Sequence, residues 1–209
     1  MNAIISQMKL KILFSLFLLL VSVSVLTISI LRTASVVPEF PRGSVRTYDS
    51  ETLIDYPLVY PGEVLPGHPM WGVKAVRDRL WLISTTRPDK KADLLLLLAD
   101  KRISAAKALM ESGDNTNALL SLVKAEQYLL AASDDERSMR VRGHDTTEFL
   151  RRMALSSLKH REILNNAKYI LPDAAVAEIV LSENLAIEVY ERSKRELMNK
   201  NEHVPESPF

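Results

Sequence analysis

From Met70 onward, apolar residues recur at the three-to-four-residue spacing of amphipathic helices, and no stretch alternates usefully with the two-residue period of a half-buried strand. A first helix opens at Met70. Trp71, Val73, Val76, Leu80 and Ile83, with Trp81 and Leu82 beside them, give it a wide apolar face, and Lys74, Arg77, Asp78 and Arg79 fall elsewhere. Thr85-Thr86-Arg87-Pro88 ends it, because Pro88 cannot continue the hydrogen-bond ladder. A second helix runs from Pro88-Asp89 to about Ser112. Its Leu94–Leu98 run covers more than half the circumference, which places this helix in the middle of a bundle. Gly113 supplies a left-handed stop, and Asp114-Asn115 caps a third helix carrying Leu119, Leu122, Val123, Ala125, Leu129 and Leu130.

From Ser133 to Arg142 the third helix loses its apolar stripe and reads as a solvated end, finished at Gly143. Asp145-Thr146-Thr147-Glu148 has the spacing of a capping box. The fourth helix then presents Phe149, Met153, Ser157, His160, Leu164, Ala167 and Leu171 on one face. Pro172-Asp173 interrupts the chain, and a fifth helix aligns Val176, Ile179, Val180, Ala186, Ile187, Tyr190 and Leu197. The acids of that helix alternate with Arg192, Lys194 and Arg195, as on a solvated face with local ion pairs. The expected fold is all-α, a bundle of about five helices over residues 65–202, with a disordered tail at 203–209. Helices two and three have the small and large residues of a tetratricopeptide-like hairpin at Leu98-Ala99, Ala106, Leu109, Ala118-Leu119 and Ala125. No second copy follows at a fixed period, so a generic antiparallel hairpin is the simpler account.

Upstream the pattern changes. Ile12 to Leu31 is an uncharged run of 20 residues, long enough to cross a bilayer as a helix. It exceeds the roughly 7–15 apolar residues of a cleaved signal peptide, which favours a retained signal anchor behind a cytoplasmic tail at 1–11. Thr33-Ala34-Ser35 offers the alternative, secretion after cleavage near Ser35. Lys9 and Lys11 face Arg32, Arg42 and Arg46 across the run, a nearly balanced count, and the short tail makes export of the bulk of the chain the default. Residues 32–64 read as a Pro-rich extracytoplasmic linker, with Pro38, Pro41, Pro57 and Pro61 holding it extended. Either it is a spacer, or its Tyr48, Tyr56 and Tyr60 form a strip that docks on the helical domain or on a partner.

Composition narrows the chemistry. Beyond residue 32 the chain carries 24 basic and 26 acidic residues, so no basic surface favours nucleic acid. The absence of cysteine excludes disulfides, thiol nucleophiles and thiolate metal sites. His68, His144, His160 and His203 form no HExxH and no pair at helical spacing, and there is no Glu-x-x-His for a di-metal bundle site. Gly-x-Gly-x-x-Gly, a phosphate loop and a Gly-x-Ser-x-Gly elbow are also missing. No cofactor, metal or catalytic residue is therefore expected. His160, three residues after Ser157 on an apolar face, is the one place where an enzymatic pocket could form with nearby acids.

The stretch Tyr60-Pro-Gly-Glu-Val-Leu-Pro-Gly-His-Pro-Met-Trp-Gly-Val-Lys74 precedes Arg77-Asp-Arg-Leu80, Pro88-Asp-Lys-Lys-Ala-Asp-Leu94 and Leu98-Ala-Asp-Lys-Arg102. In these residues the chain resembles an uncharacterised family, a domain of unknown function, of exported, membrane-anchored bacterial helical domains whose opening reads Leu-Pro-x-x-Pro-x-(Tyr/Trp)-x-x-Lys. The resemblance implies location and fold and carries over no catalytic residues. It marks Tyr60, Pro66, Gly67, His68, Pro69, Trp71 and Lys74 as structural or interaction residues, with Trp71 pinning the turn onto the bundle. The expected function is that of a protein-interaction or structural adaptor in the bacterial envelope, held to the membrane through Ile12 to Leu31 and engaging an envelope protein. A chaperone-like or small-ligand-binding domain is the alternative, and an enzyme comes third.

Overall fold

The computed structural model describes residues 53–209 and the isolated position Ser15. The anchor run, the tail at 1–11 and the linker as far as residue 52 lie outside the described residues, Ser15 apart. Residues 53–209 fall within one compact unit. The helices are α1 (Trp71–Ser84), α2 (Pro88–Glu111), α3 (Asn115–Val141), α4 (Thr147–Ile170) and α5 (Val176–Asn199), with a 3₁₀ turn at Asp173–Ala175 before α5. No strand occurs among the described residues, and none of their helices is long and apolar enough to cross a membrane.

The termini follow local chemistry. Pro88 occupies the first turn of α2, and Asp114 accepts from the Asn117 amide to cap α3. At the α2 end, Gly113 (φ +80°) donates to Met110 and Asp114 donates to Leu109, the paired bonds of a Schellman stop. The same pair of bonds closes α3 at Gly143 and α5 at Asn201. The expected capping box at Asp145 does not form. Thr146 is the N-cap of α4, and Asp145 accepts instead from Thr147 and Lys200.

Helices α2–α5 make a four-helix bundle of two hairpins, α2 with α3 and α4 with α5, in which α2 packs on α4 and α3 on α5. All five leucines from Leu94 to Leu98 are buried, as expected of a helix contacted on several sides. Leu122, Leu129, Met153, Leu164, Ile179 and Leu197 complete a core in which Ala99, Ala106, Ala125 and Ala132 let the backbones approach closely. The far end of α3 is packed rather than solvated. Ser133, Glu136 and Met139 are buried, Thr146 donates to Glu136 at 2.6 Å, and Arg140 bridges Glu136 to Glu196 on α5. Nor are all the α5 acids solvated, because Glu183 is buried against Arg161 and Lys168 of α4. Residues 203–209, expected to be disordered, lie back on the bundle. Tyr190 donates to the Pro205 carbonyl at 2.8 Å, and the Arg161 guanidinium sits 4.7 Å from the Phe209 ring.

The structure decides two features of the N-terminal part that the sequence left open. The linker's end, residues 53–64, is a strap laid along the bundle rather than a spacer, with Ile54 buried against Ala154, Leu158 and Tyr190. Both backbone groups of Ile54 are bound by an ion pair on α4: Glu162 accepts from its N–H (3.1 Å) and Lys159 donates to its carbonyl (3.3 Å). Helix α1 lies outside the bundle and contacts α2 through Trp81, Leu82 and Trp71. Its other apolar residues, Val73, Val76, Leu80 and Ile83, point to solvent while Asp78 is buried.

Strap and α1 are joined by two successive turns. His68 donates to the Leu65 carbonyl across Pro66 and Gly67, and Trp71 donates to His68 across Pro69. Gly67 has φ +92°, and a Cβ there would stand 3.0 Å from Asn117 Nδ2 on α3. Gly67→Ala is therefore expected to lower stability by about 1–2 kcal/mol, the cost of a left-handed non-glycine residue, measured by urea denaturation. Gly72→Ala, with open space around its Cβ, should not destabilise the protein.

Candidate functional site

The residues of the opening motif assemble as a clasp. Lys74 Nζ donates to the carbonyls of Pro61 (2.7 Å) and Val64 (2.8 Å), closing the strap onto α1. The Trp71 ring lies under the Arg102 guanidinium of α2 at 4.2 Å and beside Lys74 at 5.2 Å. His68 accepts from the Met70 amide through Nδ1 and is exposed, as is Tyr60. Pro66, Gly67 and Pro69 shape the two turns. The structure thus brings Lys74 and Trp71 together with Arg102 and leaves Tyr60 and His68 at the surface.

The chemically richest cluster lies inside the bundle, where α2, α3 and α4 each contribute one ionisable group. His160 is 0% exposed, between Glu126 (Nδ1 to Oε1, 2.8 Å) and Asp100 (Nε2 to Oδ1, 3.2 Å), themselves 0% and 1% exposed. Asp100 also accepts from Ser156 (2.6 Å) and from the Tyr56 hydroxyl of the strap (2.7 Å). Glu126 Oε2, by contrast, has no hydrogen-bond partner among the described residues.

Burial alone would push the His160 pKa down. The Glu126 charge, with hydrogen bonds to Asp100 and Glu126, outweighs it and holds the ring at about 9, so at neutral pH it is an imidazolium donating from both nitrogens. Burial, then the charge of Asp100, raises the Tyr56 phenol far above its ordinary value and keeps it a donor. The enzymatic expectation paired His160 with Ser157. The structure pairs it with Asp100 and Glu126, while Ser156 donates to Asp100 and Ser157 donates to the Ala154 carbonyl within its own helix. Among the described residues no group of three or more acidic, histidine or cysteine side chains could hold a metal ion.

The sequence reading missed Asp100 and Glu126 as partners. The signal was present: Glu126 lies four residues after Leu122 and three before Leu129, on a face otherwise apolar, and Asp100 continues the leucine run.

A separate concave site lies between the strap and the ends of α2 and α4. It is a cleft of about 520 Å³ lined by Leu58, Met110, Ile163 and Tyr169, with Lys107 and Glu111 from α2 and the Lys159–Glu162 pair from α4. Residues 63–174 match the family described as a domain of unknown function, DUF5667. The chain belongs to this family. The matched DUF5667 segment holds the turns, α1 to α4, and Asp100, Glu126 and His160. Tyr56 and α5, which complete the network and the core, lie outside it. No curated protein and no solved structure matches the chain.

Because the imidazolium joins three helices, His160→Leu should leave two buried carboxylates without their cation and lower stability by about 3–5 kcal/mol, read from the urea midpoint. Tyr56→Phe, which removes one donor from Asp100, should cost about 1–3 kcal/mol in the same assay. The folded pKa of His160 lies above the unfolded value of about 6.5, so protonation favours the native state. Its contribution is complete below pH about 6.5 and should fade as pH rises through about 9. His160→Leu should lack that slope.

Proposed function

We propose that this chain is a membrane-anchored, extracytoplasmic helical module that serves as a protein-interaction or structural adaptor of the bacterial envelope. The observation that carries the reading is the contrast between a sealed interior and a concave surface beside the strap. The titratable groups that could perform chemistry, His160, Asp100 and Glu126, are turned inward and spent on each other. Outward, the domain presents the cleft beside the strap, among other surfaces, where Leu58, Met110 and Ile163 form an apolar wall and Lys107 and Glu111 supply charges of both signs. Such a surface suits an extended protein segment carrying apolar and charged side chains in turn.

The anchored part of the reading rests on the apolar run Ile12–Leu31 and the Pro-rich residues that follow it. The opening motif beginning at Leu65 carries the resemblance to exported domains. A second reading, small-ligand binding, is favoured by the cleft's volume, which lies within the roughly 300–1,000 Å³ usual for ligand pockets. A photo-reactive residue at Tyr169, exposed at the cleft, distinguishes the two in cells. The adaptor reading expects one discrete crosslinked protein, lost when Leu58→Arg, at a partly buried position of the cleft wall, blocks it while circular dichroism stays unchanged. A spread of unrelated exported chains would instead indicate chaperone-like binding, and no protein adduct would favour a small ligand.

A further inference from the structure

Helix α1 is built the wrong way round for a helix that serves only the core. Val73, Val76, Leu80 and Ile83 recur at i, i+3, i+7 and i+10, one continuous stripe, and are 62%, 59%, 42% and 70% exposed. The opposite face, which holds α1 to the bundle, contains the charges. Asp78 is 5% exposed, bonded to Arg77 at 2.7 Å and 3.9 Å from Arg102, while Lys74 is tied to the strap carbonyls and Trp71 is covered by Arg102. The helix is therefore clamped with its apolar stripe outward.

Charge frames the stripe. At 100° per residue, Arg77 falls on one flank of the stripe and Arg79 on the other, and both are exposed. Just beyond the helix end Arg87 is paired with Asp89 at 2.7 Å, and Lys90 adds an exposed cation. Within α1 the one acid, Asp78, is buried. An exposed aliphatic stripe with arginines on both flanks is the pattern of a helix lying in a lipid headgroup layer. A second copy fits it less well, because a self-complementary contact along so narrow a stripe would bring arginines against arginines.

We propose that α1 docks on the surface of an anionic phospholipid bilayer, with Val73, Val76, Leu80 and Ile83 entering the headgroup–acyl boundary and Arg79 meeting the phosphates, joined by Arg77 through the donors that Asp78 leaves free. The inference deepens the anchored reading and rests on it for a bilayer within reach. The residues from 32 to 52, fully extended, span at most about 75 Å, which bounds how far the domain can stand from a membrane that holds Ile12–Leu31. The domain would then be oriented by two points, its anchor and α1, with the rest of its surface left to a partner.

The chain has no cysteine, so a single introduced one labels uniquely. Full-length Val76→Cys, carrying an environment-sensitive NBD fluorophore, is placed in vesicles of phosphatidylcholine alone or with phosphatidylglycerol. Leu120→Cys and Met198→Cys, on exposed positions of α3 and α5, are the references. The expected result is a blue shift and severalfold intensity gain at Val76 only, larger with phosphatidylglycerol and reduced by salt. A second readout places the label at Leu80→Cys. Adding Val73→Asp and Ile83→Asp, both at exposed positions, should abolish its shift while circular dichroism stays unchanged.

A Val76 label as wet as the references in both vesicles overturns the proposal. So does a shift that is equal with and without phosphatidylglycerol, or one that persists in detergent and grows with protein concentration, which would indicate a second copy. Alkaline extraction separates this inference from the anchor. Chain retained by the vesicles with no shift sinks α1 docking alone, whereas chain extracted by alkali but shifted when vesicles are added sinks the anchor alone.

Discussion

A histidine side chain with no surface exposed to water, held between two equally buried carboxylates from different helices, is the constraint on which this bundle turns. Placing charges in a helical core is expensive, and the expense is offset only when the partners are held at hydrogen-bond distance in the correct orientation. That requirement sets the register of α2, α3 and α4 together. A slide of one helix by a turn would leave Asp100, Glu126 or His160 as an isolated buried charge. Leucine and alanine packing supplies most of the favourable burial, but aliphatic side chains tolerate alternative registers and the ion triad does not.

The same network reaches outward. Tyr56 donates to Asp100 from the strap, so residues that precede the helices are fixed to the ionic centre. Ile54 is fixed alongside it by the Lys159–Glu162 pair, and Lys74 grips the strap's other end. Strap, turns and α1 are consequently one mechanical piece with the bundle. This explains how α1 can hold an apolar stripe outward with few contacts of its own. It also gives a physical reason for the opening motif: glycine and prolines bend the chain twice within a few residues, and Trp71 and Lys74 fasten the bend to α2 and to the strap.

Much of the helical layout was legible in the residues. Prolines and glycines at Pro88, Gly113, Gly143 and Pro172 punctuate the chain at almost every observed boundary, and the Leu94–Leu98 run marked α2 as central. What escaped was the use of polar residues inside. Periodicity counts a carboxylate as outward, so Glu136 and Glu183 read as solvated groups and Asp100 and Glu126 went unremarked, although each is buried beside a cation or a donor from elsewhere in the fold. Partners distant in sequence, such as Asp100 and His160, become neighbours only once the helices are packed. For α1 periodicity shows a wide apolar face without saying what it meets, and in the structure Val73, Val76, Leu80 and Ile83 face water. The strap was open in the sequence, since Pro-rich composition is compatible with a spacer or a docked strip, and Ile54, Tyr56 and Lys74 decide it through contacts with residues distant in sequence or on the next helix.

The central claim is that His160 is a buried imidazolium shared by Asp100 and Glu126. Nitrogen-resolved NMR of the histidine rings at neutral pH tests it most directly. The account predicts that His160 shows both ring nitrogens protonated, with slowly exchanging protons, and titrates near 9. A neutral ring with one unprotonated nitrogen, titrating in the ordinary histidine range, would contradict it.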